Sequence, residues 1–268
     1  MRLHKPLIGI ACALALQLLA RASQAAPPWV DRPLTLPSGD WAFDFGLGVG
    51  HVPAPVDDTA AGVNAEMAVG LTSRVELGLR TGLRFGDDAD RGNNADTYGR
   101  LFDRQSFGVG AEGAEVLANP ELRVRGALVR EPIVELALEG RVVLPFADDS
   151  VAGVMFGVPM AFHLGSRVRL DLGVYVPVVF FQQDAVAAVR VPFDVWIQAT
   201  SRLWLGPMTG LVFDRVGDTN GSTSLSLGFG LGYEITRFLD FKTMFLFPTI
   251  NNDSRVFGAG AGLQVRIE

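Results

Sequence analysis

Ser224-Leu225-Ser226-Leu227-Gly228-Phe229-Gly230-Leu231-Gly232-Tyr233-Glu234 alternates without a break between large apolar side chains and small or charged ones. A period of two residues is that of a β-strand, whose side chains point in turn to its two faces. The stretch is one of twelve such tracts, at 41–52, 61–71, 75–85, 118–128, 133–146, 154–164, 168–180, 186–199, 203–214, 224–234, 238–248 and 256–268. All 21 charged side chains within them fall on the parity opposite the apolar one. One face of the resulting sheet is therefore free of charge.

A tilted strand of roughly 9 to 11 residues crosses the hydrocarbon region of a bilayer. The mean hydropathy of +0.27 is high for a soluble protein. Yet beyond residue 25 no run approaches the ~20 apolar residues of a transmembrane helix. In lipid every backbone polar group must be paired internally, which leaves the closed barrel as the spanning solution. The expected fold is all-β, a transmembrane antiparallel up-and-down β-barrel of about 12 strands, with 10 or 14 open. The count stays open because Pro145, Pro159, Pro177, Pro192, Pro207 and Pro248 lie within tracts. A proline removes a ladder hydrogen bond, so bulges or early strand ends are expected there. A soluble periplasmic sandwich would also alternate. Its wet face would favour Thr and Lys, whereas here that parity carries Gly46, Gly48, Gly50, Gly228, Gly230, Gly232, Gly258, Gly260 and Gly262, and Lys242 is the single lysine after residue 25.

The first 25 residues have the form of a signal peptide: Arg2 and Lys5, an apolar stretch over 7–20, and Ser23-Gln24-Ala25 as a small-residue cleavage site. The organisation expected is a signal peptide at 1–25, a short periplasmic N-terminal segment at 26–40 and the barrel at 41–268. Cys12 leaves with the leader, so no disulfide is expected. Removing Arg2, Lys5 and Arg21 from 23 basic residues leaves 20 against 29 acidic ones, a net charge of −9, which argues against nucleic acid as a partner.

Short connections at 72–74, 129–132, 165–167, 200–202 and 235–237 alternate with longer ones, as they must when one side of a membrane receives turns and the other loops. The short side is assigned to the periplasm. Phe85, Phe146, Phe180, Phe213, Phe247 and Phe257 sit on the lipid-facing parity at external strand ends, with Trp41, Phe162 and Tyr233 near the periplasmic ends. That is the position of interfacial aromatic belts.

Three short runs carry a family resemblance: Gly70-Leu71-Thr72-Ser73-Arg74-Val75-Glu76-Leu77-Gly78-Leu79, Pro120-Glu121-Leu122-Arg123-Val124-Arg125, and Val143-Leu144-Pro145-Phe146-Ala147-Asp148. They resemble motifs of the outer-membrane barrel family named for the meta-pathway of phenol degradation, with Phe146-Ala147 where that family has Thr-Gly. The resemblance implies a barrel of this size that passes small hydrophobic or aromatic molecules, and it supplies no catalytic residue.

Folding the hairpins about their turns brings opposite charges together on the inner face. Centring on Ser73 sets Glu66 across from Arg80; centring on Glu131 sets Arg123 across from Glu139 and Glu121 across from Arg141. With Glu76, Arg84, Arg125 and Glu135 these residues form the candidate lumen site. It reads either as a charged constriction that selects solutes or as an ion-pair network that fills the lumen. The loop over 86–117 is a candidate plug, and Asp87-Asp88-Ala89-Asp90 within it a solvated run or a cation ligand. Catalysis needs a base beside a nucleophile. The mature chain offers only His51, on the lipid-facing parity with no serine beside it, and His163, on the lumenal parity opposite Arg169. No enzyme activity, cofactor or metal is expected. The function expected is a passive outer-membrane channel or transporter for small solutes, with a non-transporting structural or surface-interaction barrel as the alternative.

Overall fold

The computed structural model describes residues 27–52, 58–85, 117–145, 152–180, 185–214, 216, 221–252 and 256–268, without the side chains of 52, 58–60, 84, 85 and 117–119. A 3-10 turn at Trp29–Asp31 precedes thirteen strands: β1 (Trp41–Val52), β2 (Asp58–Gly70), β3 (Val75–Phe85), β4 (Leu117–Arg130), β5 (Val134–Val143), β6 (Ala152–Leu164), β7 (Val168–Phe180), β8 (Ala185–Ala187), β9 (Val189–Gln198), β10 (Leu203–Asp214), β11 (Ser222–Thr236), β12 (Leu239–Phe247) and β13 (Phe257–Ile267). Each pairs antiparallel with its sequence neighbour, apart from the short β8, which shares the edge of β7 with β9. β1 closes on β13 from Trp41↔Ile267 to His51↔Phe257. The result is a closed twelve-strand barrel, with β8 and β9 as two pieces of one expected tract.

Side-chain exposure is inverted relative to a soluble fold. Leu47, Phe156 and Phe229 are 62%, 67% and 47% exposed, whereas the charged Glu121, Arg141 and Asp240 are 3%, 3% and 0% exposed. The charge-free parity faces outward, as lipid requires, and Trp41, Phe180, Phe213 and Tyr233 of the expected aromatic belts lie exposed on it.

Two of the short connections repeat one structure. Thr72 Oγ1 accepts hydrogen bonds from the amides of Arg74 and Val75, and Thr200 Oγ1 from those of Arg202 and Leu203, so a Thr-Ser-Arg triplet reverses the chain by the same side-chain bond each time.

The prolines act more locally than expected. β5 and β12 end just before Pro145 and Pro248. At Pro159, Pro192 and Pro207 the ladder to one neighbour is interrupted and then resumes in the same register, as between Leu136↔Met160 and Glu139↔Gly157. The other edge stays paired, through Pro159↔Gly173, Pro192↔Gly210 and Pro207↔Phe229. An antiparallel residue turns its N–H and C=O to the same neighbour, so a proline weakens one seam only. The bulges fall elsewhere, at 80–82, 127–129 and 234–236.

The bulge at 127–129 corrects one expectation. Glu66 does face Arg80, but in the next hairpin Arg123 faces Arg141, Arg125 faces Glu139 and Glu121 faces Val143. The turn is centred between Pro132 and Ile133, as Val129↔Leu136 and Arg130↔Glu135 show, and the extra residue on β4 brings the register back by one, a net shift of two from a hairpin centred on Glu131. Every side chain keeps its face, and the partners change.

Candidate functional site

The inner wall over β2–β5 is a continuous chain of ion pairs. Arg123 Nη2 lies 2.8 Å from both Glu76 Oε1 and Glu66 Oε1, and Glu66 Oε2 accepts from Arg80 Nη2 at 2.5 Å. Arg80 and Arg141 both approach Glu121 Oε2, at 3.7 and 3.6 Å. Arg141 Nε donates to Glu139 Oε1 at 2.7 Å, and Arg125 reaches Glu139 Oε2 at 2.5 Å. Eight of the ten residues expected at the site are thus linked head to tail. Glu135, the ninth, stands apart from this chain, and the side chain of Arg84 lies outside the described residues. So do the run 87–90 and the rest of the expected plug loop up to residue 116, and the leader.

Both ends of the chain hold something the sequence reading treated only as a lead-in. Residues 27–37 lie inside the mouth of the barrel at the end of the short turns, extended by Pro27, Pro28, Pro33 and Pro37. Beyond the turn at 29–31, where the amides of Asp31 and Arg32 donate to Pro28 O and Trp29 O, the backbone groups of this strap find partners in the wall. Leu36 N–H donates to Glu76 Oε2 at 2.8 Å and Leu34 N–H to Glu135 Oε2 at 3.0 Å. Leu34 O accepts from Arg125 Nη1 at 2.8 Å, Arg32 O from Arg169 Nη1, and Val30 O from His163 Nδ1 at 2.6 Å. His163 Nε2 contacts Glu135 Oε1 at 3.0 Å, so this histidine braces the strap. At its far end the strap turns at Gly39, with φ +87°, and pairs with β2 through Gly39 N to Gly70 O at 2.8 Å and Gly70 N to Asp40 O at 3.0 Å. A methyl group at Gly70 would fall 1.9 Å from Pro37 O. At this turn burial pushes the Asp40 carboxyl above the ordinary carboxylate range, Glu268 adds to the effect and Arg266 opposes it.

Opposite the ion pairs, over β9–β12, the strap meets an apolar cluster. Val30 packs with Trp196, Trp204, Met208 and Met244, all buried. The Trp29 ring stacks on Trp204 at 5.0 Å between centroids and 4° between planes, with Trp196 edge-on at 6.4 Å. Lys242 Nζ lies 5.0 Å and Arg32 Cζ 5.2 Å from the centre of the Trp29 ring. Arg32 is bidentate on Asp240, which also takes Arg266 Nη2 at 3.1 Å, and Lys242 is held by Asp44 at 3.1 Å. A second apolar cluster, Val143, Met155, Tyr175 and Val179, lines the wall over β5–β7. A cavity of about 320 Å³ remains beside the strap, bounded by Trp29, Arg32 and Leu36 on one side and by Glu66, Arg123 and Tyr175 on the other.

The lumen is therefore two-sided, with paired charges on one wall and aromatic and thioether side chains on the other. The apolar inner residues escaped the charge-centred reading. Their signal was present, since Met155, Tyr175, Trp196, Trp204 and Met208 are large apolar residues on the polar parity.

Solved structures match this architecture. The NanC porin superposes with a TM-score of 0.59 at 9% identity, covering 83% of this chain and 98% of its own. An outer membrane channel from Pseudomonas putida F1 gives 0.57 at 10% identity, with 91% and 100% covered, and the KdgM porin 0.52 at 7%, with 84% and 98%. The fold is that of outer-membrane porin barrels. No protein-family model matches the chain, and no curated protein matches its sequence. The resemblance to the phenol meta-pathway barrels rests on its short runs alone.

Proposed function

We propose that this chain is an outer-membrane channel, delivered by its N-terminal leader, that passes small solutes with an apolar or aromatic part, and that residues 27–37 close its periplasmic mouth. The observation that carries the reading is the two-sided lumen: a solute with a hydrophobic body and a polar end finds partners on both walls. The porin fold of the similar structures supports a passive role without chemistry, as does the engagement of both ring nitrogens of His163 in bracing the strap.

Single-channel recording in planar bilayers tests it. The mature chain is expected to show rare openings, and the same chain lacking residues 27–37 discrete, frequent conductance steps. Silence of the deletion variant, once shown to be folded and inserted, would refute the channel reading. It would favour the second one, a structural barrel whose ion pairs over β2–β5 serve to fill and stiffen the wall.

A further inference from the structure

We propose that the inward face of Trp204, bordered by Trp196 and Lys242, is a binding subsite for a flat, electron-rich aromatic ring. Trp29 is its tethered occupant, and a solute bearing such a ring opens the mouth by taking the place of Trp29. This rests on the channel reading above and adds to it a ligand class and a trigger.

Trp204 is 1% exposed, yet the ring lying on its face belongs to the strap and not to the wall. Were the strap to leave, a large apolar face would meet water, which favours another ring in its place. The wall is shaped to present that face. Gly232 on β11 has no side chain, and a methyl there would fall 2.1 Å from the Trp204 ring, so the indole lies flat against β11 with its other face turned to the lumen. The cation at the subsite also stays behind. Lys242 is fixed by Asp44 on β1, whose second oxygen takes Gln264 at 2.7 Å, all three on the barrel, whereas Arg32 departs with the strap. A fixed ammonium over a ring selects an electron-rich π face over an aliphatic ring of equal bulk.

The probe is indole, added to the full mature chain in planar bilayers, with cyclohexylmethanol as an apolar ring that has no π face. Indole is expected to raise the open probability roughly tenfold over cyclohexylmethanol, the advantage of stacking plus one cation contact. Trp204→Leu, which also loses the stack that holds Trp29, should conduct more often than the parent without either probe and show no difference between the two, and Trp204→Phe, which keeps a ring, should retain part of the difference. Equal responses to the two probes, or a response that survives Trp204→Leu, would overturn the subsite. Indifference of the intact chain to indole while the variant lacking 27–37 conducts would also overturn it, leaving the channel reading standing. Silence of the deletion variant would overturn both.

Discussion

Replacing Trp29 with Ala removes the ring that lies flat on Trp204 and leaves the backbone bonds of the strap in place, so it isolates how strongly one side chain holds residues 27–37 in the mouth. The stack at 5.0 Å and 4° contributes about 1 kcal/mol beyond burial. Lys242 on the wall, at 5.0 Å from the ring centre, adds about 0.5–1 kcal/mol. The sum of about 1.5–2 kcal/mol shifts the docking equilibrium roughly 10- to 30-fold toward the released strap. Thr35 offers a reporter: its side chain is fully buried, and its hydroxyl has no hydrogen-bond partner among the described residues, so Thr35→Cys gives up no bond. With Cys12 in the leader, that thiol is the single one expected in the mature chain. Its reaction with a membrane-impermeant thiol reagent reads the released population when docking is fast relative to labelling. Labelling of the Trp29→Ala, Thr35→Cys protein should be roughly 10- to 30-fold faster than of Thr35→Cys alone. An unchanged rate would refute the claim that the aromatic stack holds the strap.

Other perturbations reach the same assembly from different sides. Glu135→Ala removes the acceptor of Leu34 N–H together with the contact to His163. An unsatisfied buried donor costs about 1–3 kcal/mol, so proteinase K should cut within residues 27–37 roughly five- to a hundredfold faster. Gly232→Ala should turn the Trp204 ring off the wall and abolish the near-ultraviolet circular dichroism of the stacked indoles while strand content persists; an unaltered signal would contradict the close approach at 2.1 Å. Asp40→Asn tests the turn at the base of the strap. Burial and Glu268 raise the Asp40 pKa in the folded protein, so its contribution is fully present below the ordinary carboxylate value and is lost as pH rises through the raised one. The Asn variant should melt at a higher temperature than the parent at pH 7, with the difference vanishing below about pH 4.

The barrel was legible because lipid enforces it. A charge on the outer face has no partner there, so parity could be read from 41 to 268 without knowing any contact. Register was less legible. The Glu66 and Arg80 pair followed from a tight turn about Ser73, but the bulge at 127–129 sits at the turn end of β4, leaves the alternation up to Ala127 untouched and so is silent in it. The strap was not legible as an inner element. Its extended backbone buries few side chains and has no period, and its partners, from Gly70 to Asp240, are scattered over the whole chain. Its one local mark is composition, with Trp29 and Arg32 among four prolines where a lead-in needs neither. Of the ten charges named for the lumen, Glu76, Arg125 and Glu135 hold the strap, a role that no pairwise hairpin argument could assign.

The strap draws its partners from Gly70 on β2, Glu76 on β3, Arg125 on β4, Glu135 on β5, His163 on β6, Arg169 on β7, Trp204 on β10 and Asp240 on β12. These strands come to surround one point only after β1 has met β13. The full set of its partners therefore exists only in the closed ring, and a strap with every one of these bonds made is a certificate that the ring has closed.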